Sequence, residues 1–128
     1  MSIAVAEKTM AADQCLKAVM QINGALGAAL VDWRSGLCLG TEGGGGLDLN
    51  IAAAGNTEVV RAKLNTMKAL GLNDEIEDIL ITLGSQLHII RPLRKYTNLF
   101  LYVALTKANA NLATARYKLE EIESMLTM

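Results

Sequence analysis

The stretch Glu75–Thr106, EIEDILITLGSQLHIIRPLRKYTNLFLYVALT, contains three apolar runs separated by turn residues. Branched side chains dominate 76–83, the two-residue link at 84–85 suits a tight hairpin, and apolar residues return over 87–93. The third run, Leu99–Leu105, is apolar at successive positions, so both of its faces must be covered. The stretch therefore predicts an antiparallel meander inside a sheet that has helices on each side.

Three further segments have the three- and four-residue apolar spacing of amphipathic helices, at 7–22, 49–70 and 109–128. Asp48 is a candidate N-cap of the second helix, and Gly71 is its candidate stop. Between the first two helices, 25–31 and 37–40 read as short strands. The predicted order is α-β-β-α-β-β-β-α, an α/β (α+β sandwich) fold with a central antiparallel five-stranded sheet, in a single domain over 1–128.

The long middle helix carries more apolar surface than one sheet face needs. A broad apolar arc includes Val60, Leu64 and Met67, and the polar residue Lys63 falls inside it. Lys63 either extends its amine to water or lies where part of the arc meets a second polypeptide. A second, narrower strip consists of Ile51, Ala62 and Ala69. The chain is 52% apolar and 20% charged, a balance that suits a protein burying extra surface against a partner.

Charge and cysteine content exclude several classes of function. The net charge of -1 gives no general attraction to nucleic acid or to an anionic membrane. Cys15, Cys38 and His88 do not have the spacing of a zinc site or a disulfide framework. The first ten residues lack the apolar core of a signal peptide, and no apolar run approaches the roughly 20 residues of a membrane span. We expect a cytoplasmic protein.

A run of four glycines, Gly43–Gly46, invites comparison with a phosphate-binding loop. That motif needs a Lys-Ser/Thr pair after its last glycine, whereas Leu47 and Asp48 follow here, and an aspartate repels phosphate. We therefore expect a flexible glycine-rich loop over 42–47.

Catalytic chemistry is sparse. His88 lies within an apolar run, and Cys15 and Cys38 occupy apolar positions of a helix and a strand. The acidic residues over 74–78 lack the glycine-bearing loop of a calcium site. Glu77 and Asp78 are better interpreted as charges on an edge strand, where a partner strand can also add. The sequence predicts no enzyme activity, no cofactor and no metal.

Three stretches resemble the roadblock family of dynein light-chain relatives: GALGAALVDWRSGLCLG over 24–40, KALGL over 68–72 and EDILITLGSQLHIIRPL over 77–93. The element order also matches a profilin-like sandwich. The long final helix is similar to that of bacterial members. The resemblance implies a non-enzymatic module that forms homodimers or heterodimers, in which the middle helices pair and the following strand joins its symmetry mate.

The resemblance also implies a small Ras-like GTPase as partner, with this chain either activating it or serving as a scaffold. Arg34 and Arg61 are the arginines to test first. The alternative is a small-molecule-sensing or ligand-binding domain in which Gly43–Gly46 acts as a lid. The predicted interface set, drawn from the middle helix and the following strand, is Val60, Lys63, Leu64, Met67, Glu77, Asp78, Ile79 and Leu80.

Overall fold

The computed structural model describes residues 9–128 and confirms the predicted order of three helices and five strands. Residues 7 and 8 of the first predicted helix lie outside the described residues. The elements are α1 (Ala12–Val19), β1 (Ala25–Asp32), β2 (Leu37–Gly43), α2 (Leu49–Ala69), β3 (Ile79–Thr82), β4 (Gln86–Pro92), β5 (Leu99–Thr106) and α3 (Leu112–Met125).

The five strands form one antiparallel sheet in the order β2-β1-β5-β4-β3. β5 lies at its centre and is buried from Leu99 to Leu105, as expected for a strand that is apolar on both faces. In the β1–β2 hairpin, Gly36 donates its N–H to the Asp32 carbonyl at 2.7 Å and has a positive φ of 77°. The hairpin between β3 and β4 is closed by the N–H of Leu83, which donates to the Gln86 carbonyl at 2.8 Å.

Helices cover both faces of the sheet, and each face has its own apolar core. α1 and α3 contact each other on one face, where Leu16, Leu30 and Ile89 are among the buried residues. α2 lies on the other face, above a core that includes Val31, Ile90 and Phe100. α2 packs mainly against β1 and β2, which places it over one half of the sheet. The α/β sandwich is therefore confirmed, with α2 off centre.

α2 is a continuous helix of 21 residues that passes through Gly55 without a break. The Asp48 carboxylate accepts the N–H groups of Asn50 and Ile51 at 3.0 and 3.1 Å, which confirms the predicted N-cap. Gly71 has a φ of +69°, and the next residue, Leu72, donates its N–H to the Met67 carbonyl at 2.9 Å. This is the hydrogen-bond pattern with which a glycine ends a helix.

Several predicted boundaries are wrong. Among the described residues, α1 begins at Ala12, β2 ends at Gly43 rather than at residue 40, and α3 spans Leu112–Met125 rather than 109–128. α1 ends at Val19 rather than Ile22, because single turns continue the chain, with the N–H of Gln21 bonded to Ala18 and that of Ile22 to Val19. β3 begins at Ile79 rather than at residue 76. Glu77 and Asp78 therefore precede the edge strand instead of belonging to it.

The glycine run is partly strand. β2 extends to Gly43, so the loop begins later than the 42–47 expected from the sequence, and the N–H of Gly44 donates to the Leu26 carbonyl at 2.7 Å. A Cβ on Gly27 would lie 2.8 Å from the Gly44 Cα, so only glycine permits this approach of β1 to the loop. The flexibility of the remaining loop stays a prediction.

Candidate functional site

β3 is one of the two outermost strands of the sheet and pairs with β4 alone among the described strands. Bonded and non-bonded residue pairs alternate along an antiparallel ladder. Because Leu83 is bonded to Gln86, the N–H and C=O of Ile81 point towards β4. The same groups of Leu80 and Thr82 point away from the sheet. They form an open edge to which another strand can bond.

The sheet next to this open edge is only partly covered on the α2 side. Ile79 and Ile81 are half-buried and touch the core beneath α2. One flank of α2 is fixed to the β1–β2 turn, where the Arg61 guanidinium donates to the Arg34 carbonyl at 2.6 Å. At 100° per residue, the opposite flank carries Asn56 and Val59, both half-buried. We infer that this flank faces the half of the sheet that contains β4 and β3, because α2 lies mainly over β1 and β2.

The residues of the predicted interface set that lie on α2 differ in their exposure. Val60 is 0% exposed because it belongs to the core between α2 and the sheet, and Met67 is 8% exposed. Val60 consequently has no accessible surface from which to contact a partner. Leu64 is half-buried and Lys63 is exposed, so these two remain available.

The residues of the predicted interface set at β3 also differ in their surroundings. Ile79 and Leu80 lie together in the strand and are half-buried. Glu77 is exposed in the preceding loop. Asp78 is instead bonded to α3, where its carboxylate accepts two hydrogen bonds from Arg116 at 2.8 and 3.0 Å. These hydrogen bonds raise the pKa of Arg116.

The outward face of α2 presents the second predicted strip to solvent. Ile51 is 71% exposed, and Gly55, Ala62 and Ala69 are exposed along the same line of the helix. A Cβ on Gly55 would meet no atom within 4 Å among the described residues. Small residues in such a line allow the backbone of another helix to approach closely.

A buried ion pair joins β4 to α3, and sequence reasoning missed it. Arg91 Nε donates to Glu123 Oε1 at 2.7 Å, and the other oxygen of Glu123 accepts the N–H of Arg94 at 2.8 Å. The sequence feature that could have indicated this ion pair is Arg91 itself. It alternates with Leu87 and Ile89 on a buried strand face, where a charge needs a partner.

His88 lies on the partly covered side of the sheet in a neutral hydrogen-bond network. The Tyr102 hydroxyl donates to Nδ1 at 3.1 Å, and Nε2 donates to Gln86 Oε1 at 2.8 Å. Burial lowers the pKa of His88 and raises the pKa of Tyr102. Both hydrogen bonds require the neutral ring with its proton on Nε2. His88 therefore has a structural role here, unlike a histidine that acts as a base next to a nucleophile.

The β1–β2 turn forms a polar corner. The Arg34 guanidinium is 5.6 Å from the centre of the Trp33 ring, and the Trp33 indole N–H donates to the Thr97 carbonyl at 3.0 Å. Burial opposes ionisation of Asp32, but the N–H groups of Ser35 and Arg34 and the Asn98 amide lower the pKa of Asp32 overall. Beside this corner is an apolar cavity of about 170 Å³ whose lining includes Trp33, Leu64, Ile76 and Pro92.

Within residues 9–128, histidine, cysteine and acidic side chains form no group that could hold a metal ion. Burial raises the pKa of the Cys15 thiol, with a further contribution from Asp13, which disfavours a reactive thiolate. In the same part of the chain, no helix combines the length and apolar character that crossing a membrane requires.

Comparison with solved structures identifies the fold. A roadblock/LC7 domain from Streptomyces avermitilis aligns with a TM-score of 0.75 at 16% identity, over 89% of this chain and 92% of that one. MglB from Myxococcus xanthus aligns with a TM-score of 0.76 at 15% identity, over 88% and 84%. An MglB structure with a tetrameric arrangement aligns with a TM-score of 0.70 at 15% identity, over 87% and 81%. No protein-family model and no curated protein matches the sequence. The chain has the roadblock fold, as the sequence resemblance indicated.

Proposed function

We propose that this protein is a non-enzymatic, cytoplasmic scaffold that forms a homodimer and associates with a small Ras-like GTPase. The observation that carries the proposal is the open edge of β3 beside a sheet surface that α2 leaves partly covered. Such an edge in a small domain normally needs a blocking device or a partner. The other outer strand, β2, has both helical layers beside it, with α1 and α2 in contact with it.

A second copy of the chain fits this surface. Two β3 strands related by a twofold axis run antiparallel, so the outward groups of Leu80 and Thr82 can bond to the same groups of the mate. Ile79 and Ile81 would then lose their remaining exposure, and the two α2 helices would come together through exposed small residues. The tetrameric arrangement of an MglB structure shows that a protein of this fold can self-associate.

The GTPase association rests on the family resemblance of the sequence, supported by the shared fold. Arg34 is the more available of the two candidate arginines, because it lies at an exposed turn. Arg61 is occupied by Glu58 at 3.0 Å and by the Arg34 carbonyl. A stimulatory role through a residue of this chain would therefore use Arg34, with Arg61 holding the turn in place.

Light scattering after size-exclusion chromatography tests the self-association. We expect a mass of twice the 13.7 kDa chain, decreasing towards one chain on dilution. Ile51→Glu should weaken the dimer, since it places a charge on the exposed strip of α2, and Lys107→Glu in the loop before α3 serves as a control. A monomer of unmutated protein at every concentration would refute the homodimer.

GTP hydrolysis tests the partnership. A small GTPase encoded beside this protein should be assayed with and without it, together with a pull-down of the nucleotide-bound forms. Binding with faster hydrolysis indicates activation, and binding with unchanged hydrolysis indicates a scaffold. Arg34→Ala should abolish the acceleration if this residue acts on the nucleotide. Absence of binding in every nucleotide state would refute the proposed partnership with that GTPase.

A further inference from the structure

A polar cavity of about 590 Å³ lies between α3 and the β3–β4 side of the sheet, on the face opposite α2. Its size is within the usual range of small-molecule sites. Three arginines, Arg91, Arg94 and Arg116, contribute to its lining, and Glu120 of α3 lies at its rim. The sheet and α3 each supply arginines, so the guanidinium groups converge from two elements.

Arg91 is the most informative of these residues. Its side chain is only 7% exposed, and Nε is its one nitrogen that has an acceptor among the described residues, the Glu123 carboxylate. Yet none of the fully buried side-chain nitrogens and oxygens of the described residues lacks a hydrogen-bond partner. The two terminal amino groups of Arg91 must therefore be reached by solvent, and Arg91 lines both this cavity and a smaller one of about 200 Å³ that shares Arg94 and Glu120 with it. The two amino groups are donors without an acceptor among residues 9–128.

The neighbouring carboxylates do not satisfy these donors. Both oxygens of Glu123 are occupied, by Arg91 Nε and by the N–H of Arg94. Asp78 is held by Arg116 through two hydrogen bonds. The Arg94 side chain is 62% exposed, and its guanidinium lies 3.8 Å from a carboxylate oxygen of Glu77, whose side chain is 82% exposed. A salt bridge this long and exposed holds its arginine weakly.

We propose that this cavity binds a small oxyanion, a phosphate or carboxylate group that accepts hydrogen bonds from the terminal nitrogens of Arg91 and from Arg94. Guanidinium groups match both kinds of anion through paired hydrogen bonds, and a partly buried guanidinium with free donors gives stronger bonds than one in water. Arg116, neutralised by Asp78, shapes the wall and keeps α3 beside β3. The site requires neither the homodimer nor the GTPase.

Titration of the unmutated protein tests the site directly, with inorganic pyrophosphate as the phosphate probe and succinate as the carboxylate probe. Arginine Nε–Hε signals in NMR spectra should shift saturably for Arg91 and Arg94, at constant ionic strength set with sodium chloride. Saturation by pyrophosphate alone assigns a phosphorylated ligand, and saturation by succinate alone assigns a carboxylate. Unsaturable shifts with both probes would overturn the proposal.

Two variants and a control separate this site from general attraction of anions. Arg94→Gln, at an exposed position that tolerates substitution, should weaken binding about tenfold through loss of charged hydrogen bonds. Glu120→Gln should strengthen binding about two- to threefold by removing a negative charge from the rim. Lys107→Met, an exposed charge elsewhere, should have no effect. Equal weakening by Arg94→Gln and Lys107→Met would show a non-specific ion atmosphere and refute the site.

Discussion

The two outer strands of the sheet differ in how they protect their free edges. β2 carries a bulge, since Leu30 pairs with Gly40 while Val31 pairs with Cys38, which leaves Leu39 as an extra residue. α1 and α2 both contact β2, one from each face. β3 has a regular register over four residues and contacts chiefly β4. A bulged edge resists pairing with another strand, whereas a regular edge permits it.

Exposed apolar surface alone would not have distinguished the two edges. Leu37 on β2 is 60% exposed, more than any apolar residue of β3. What differs is the backbone, because only β3 presents an uninterrupted alternation of outward N–H and C=O groups. For pairing with another strand, a regular backbone at the edge therefore matters more than exposed apolar side chains.

The largest loss of stability is expected at the ion pair that joins the β3 side of the sheet to α3. Glu123→Ala leaves the Arg91 guanidinium buried without its carboxylate, so the free energy of unfolding should fall by about 3–5 kcal/mol. Chemical denaturation followed by circular dichroism measures the change. Glu121→Ala, at an exposed position on the same helix, should change it by less than about 0.5 kcal/mol. Equal stability of the two variants would mean that this pair does not hold the β3 side.

Substitutions of two adjacent valines of α2 distinguish the covered half of the sheet from the partly covered half. Val60→Ala removes two methyl groups from a fully buried site and should lower the free energy of unfolding by about 2 kcal/mol. Val59→Ala, on the half-buried flank, should cost less than half of that, but should weaken the dimer. Denaturation measures the first effect and dilution light scattering the second. If Val60→Ala alone affected the dimer, the assignment of the two faces would be reversed.

Proline tests the edges themselves. Leu80→Pro removes an outward N–H and leaves the bonds to β4 intact, so the dimer dissociation constant should rise at least about tenfold, from the loss of about 1.4 kcal/mol. Thr41→Pro is the matched control on β2, since the bonded Gly44–Leu26 pair places the Thr41 N–H outward as well. Sedimentation equilibrium should show a dimer for Thr41→Pro. Similar dissociation of both variants would contradict the difference between the edges.

The smallest effect is expected from His88, next to β3. Burial lowers the pKa of His88, so the unfolded chain takes up a proton first as the pH falls below the ordinary value of 6.5. This contribution to stability is complete above 6.5 and is lost as the pH falls from 6.5 through the lowered pKa of the folded chain. Unfolding measured at about pH 7.5 and about pH 5.5 should show the loss. In His88→Gln the difference should shrink, and an unchanged difference would assign it to other groups.

Local patterns were sufficient to predict much of the fold. The period of α2, its Asp48 cap and its Gly71 stop all depend on residues close in sequence, as do the two hairpin turns. The end of α1 was misjudged because local three-residue turns replace the helical bonds after Val19, and the start of β3 was misjudged because a contact far along the chain holds the preceding residue. Asp78 looks like a strand residue by pattern, but Arg116, far along the chain, holds it in the loop.

The self-association surface stays a prediction, and the sequence could not show which of its residues the chain itself buries. An amphipathic arc shows which residues of α2 avoid water, but not whether the chain itself or a partner covers them. Val60 and Met67 were therefore placed with Lys63 and Leu64, although the first pair is already buried within the chain. Glu123 of α3 is buried although it is charged. Its partner Arg91 is 32 residues away, beyond the reach of any helical period.

Asp78 adjoins the first residue of β3 and is held by Arg116 of α3. Asp78 also lines the cavity that contains the three arginines. One carboxylate is therefore next to both the start of β3 and the space in which an anion would bind. An anion bound to Arg91 and Arg94 beside this carboxylate would, if it altered the Asp78–Arg116 pair, also alter the segment that leads into β3. Thermodynamic reciprocity then requires that a mate bound at the edge of β3 change the affinity for the anion by the same factor.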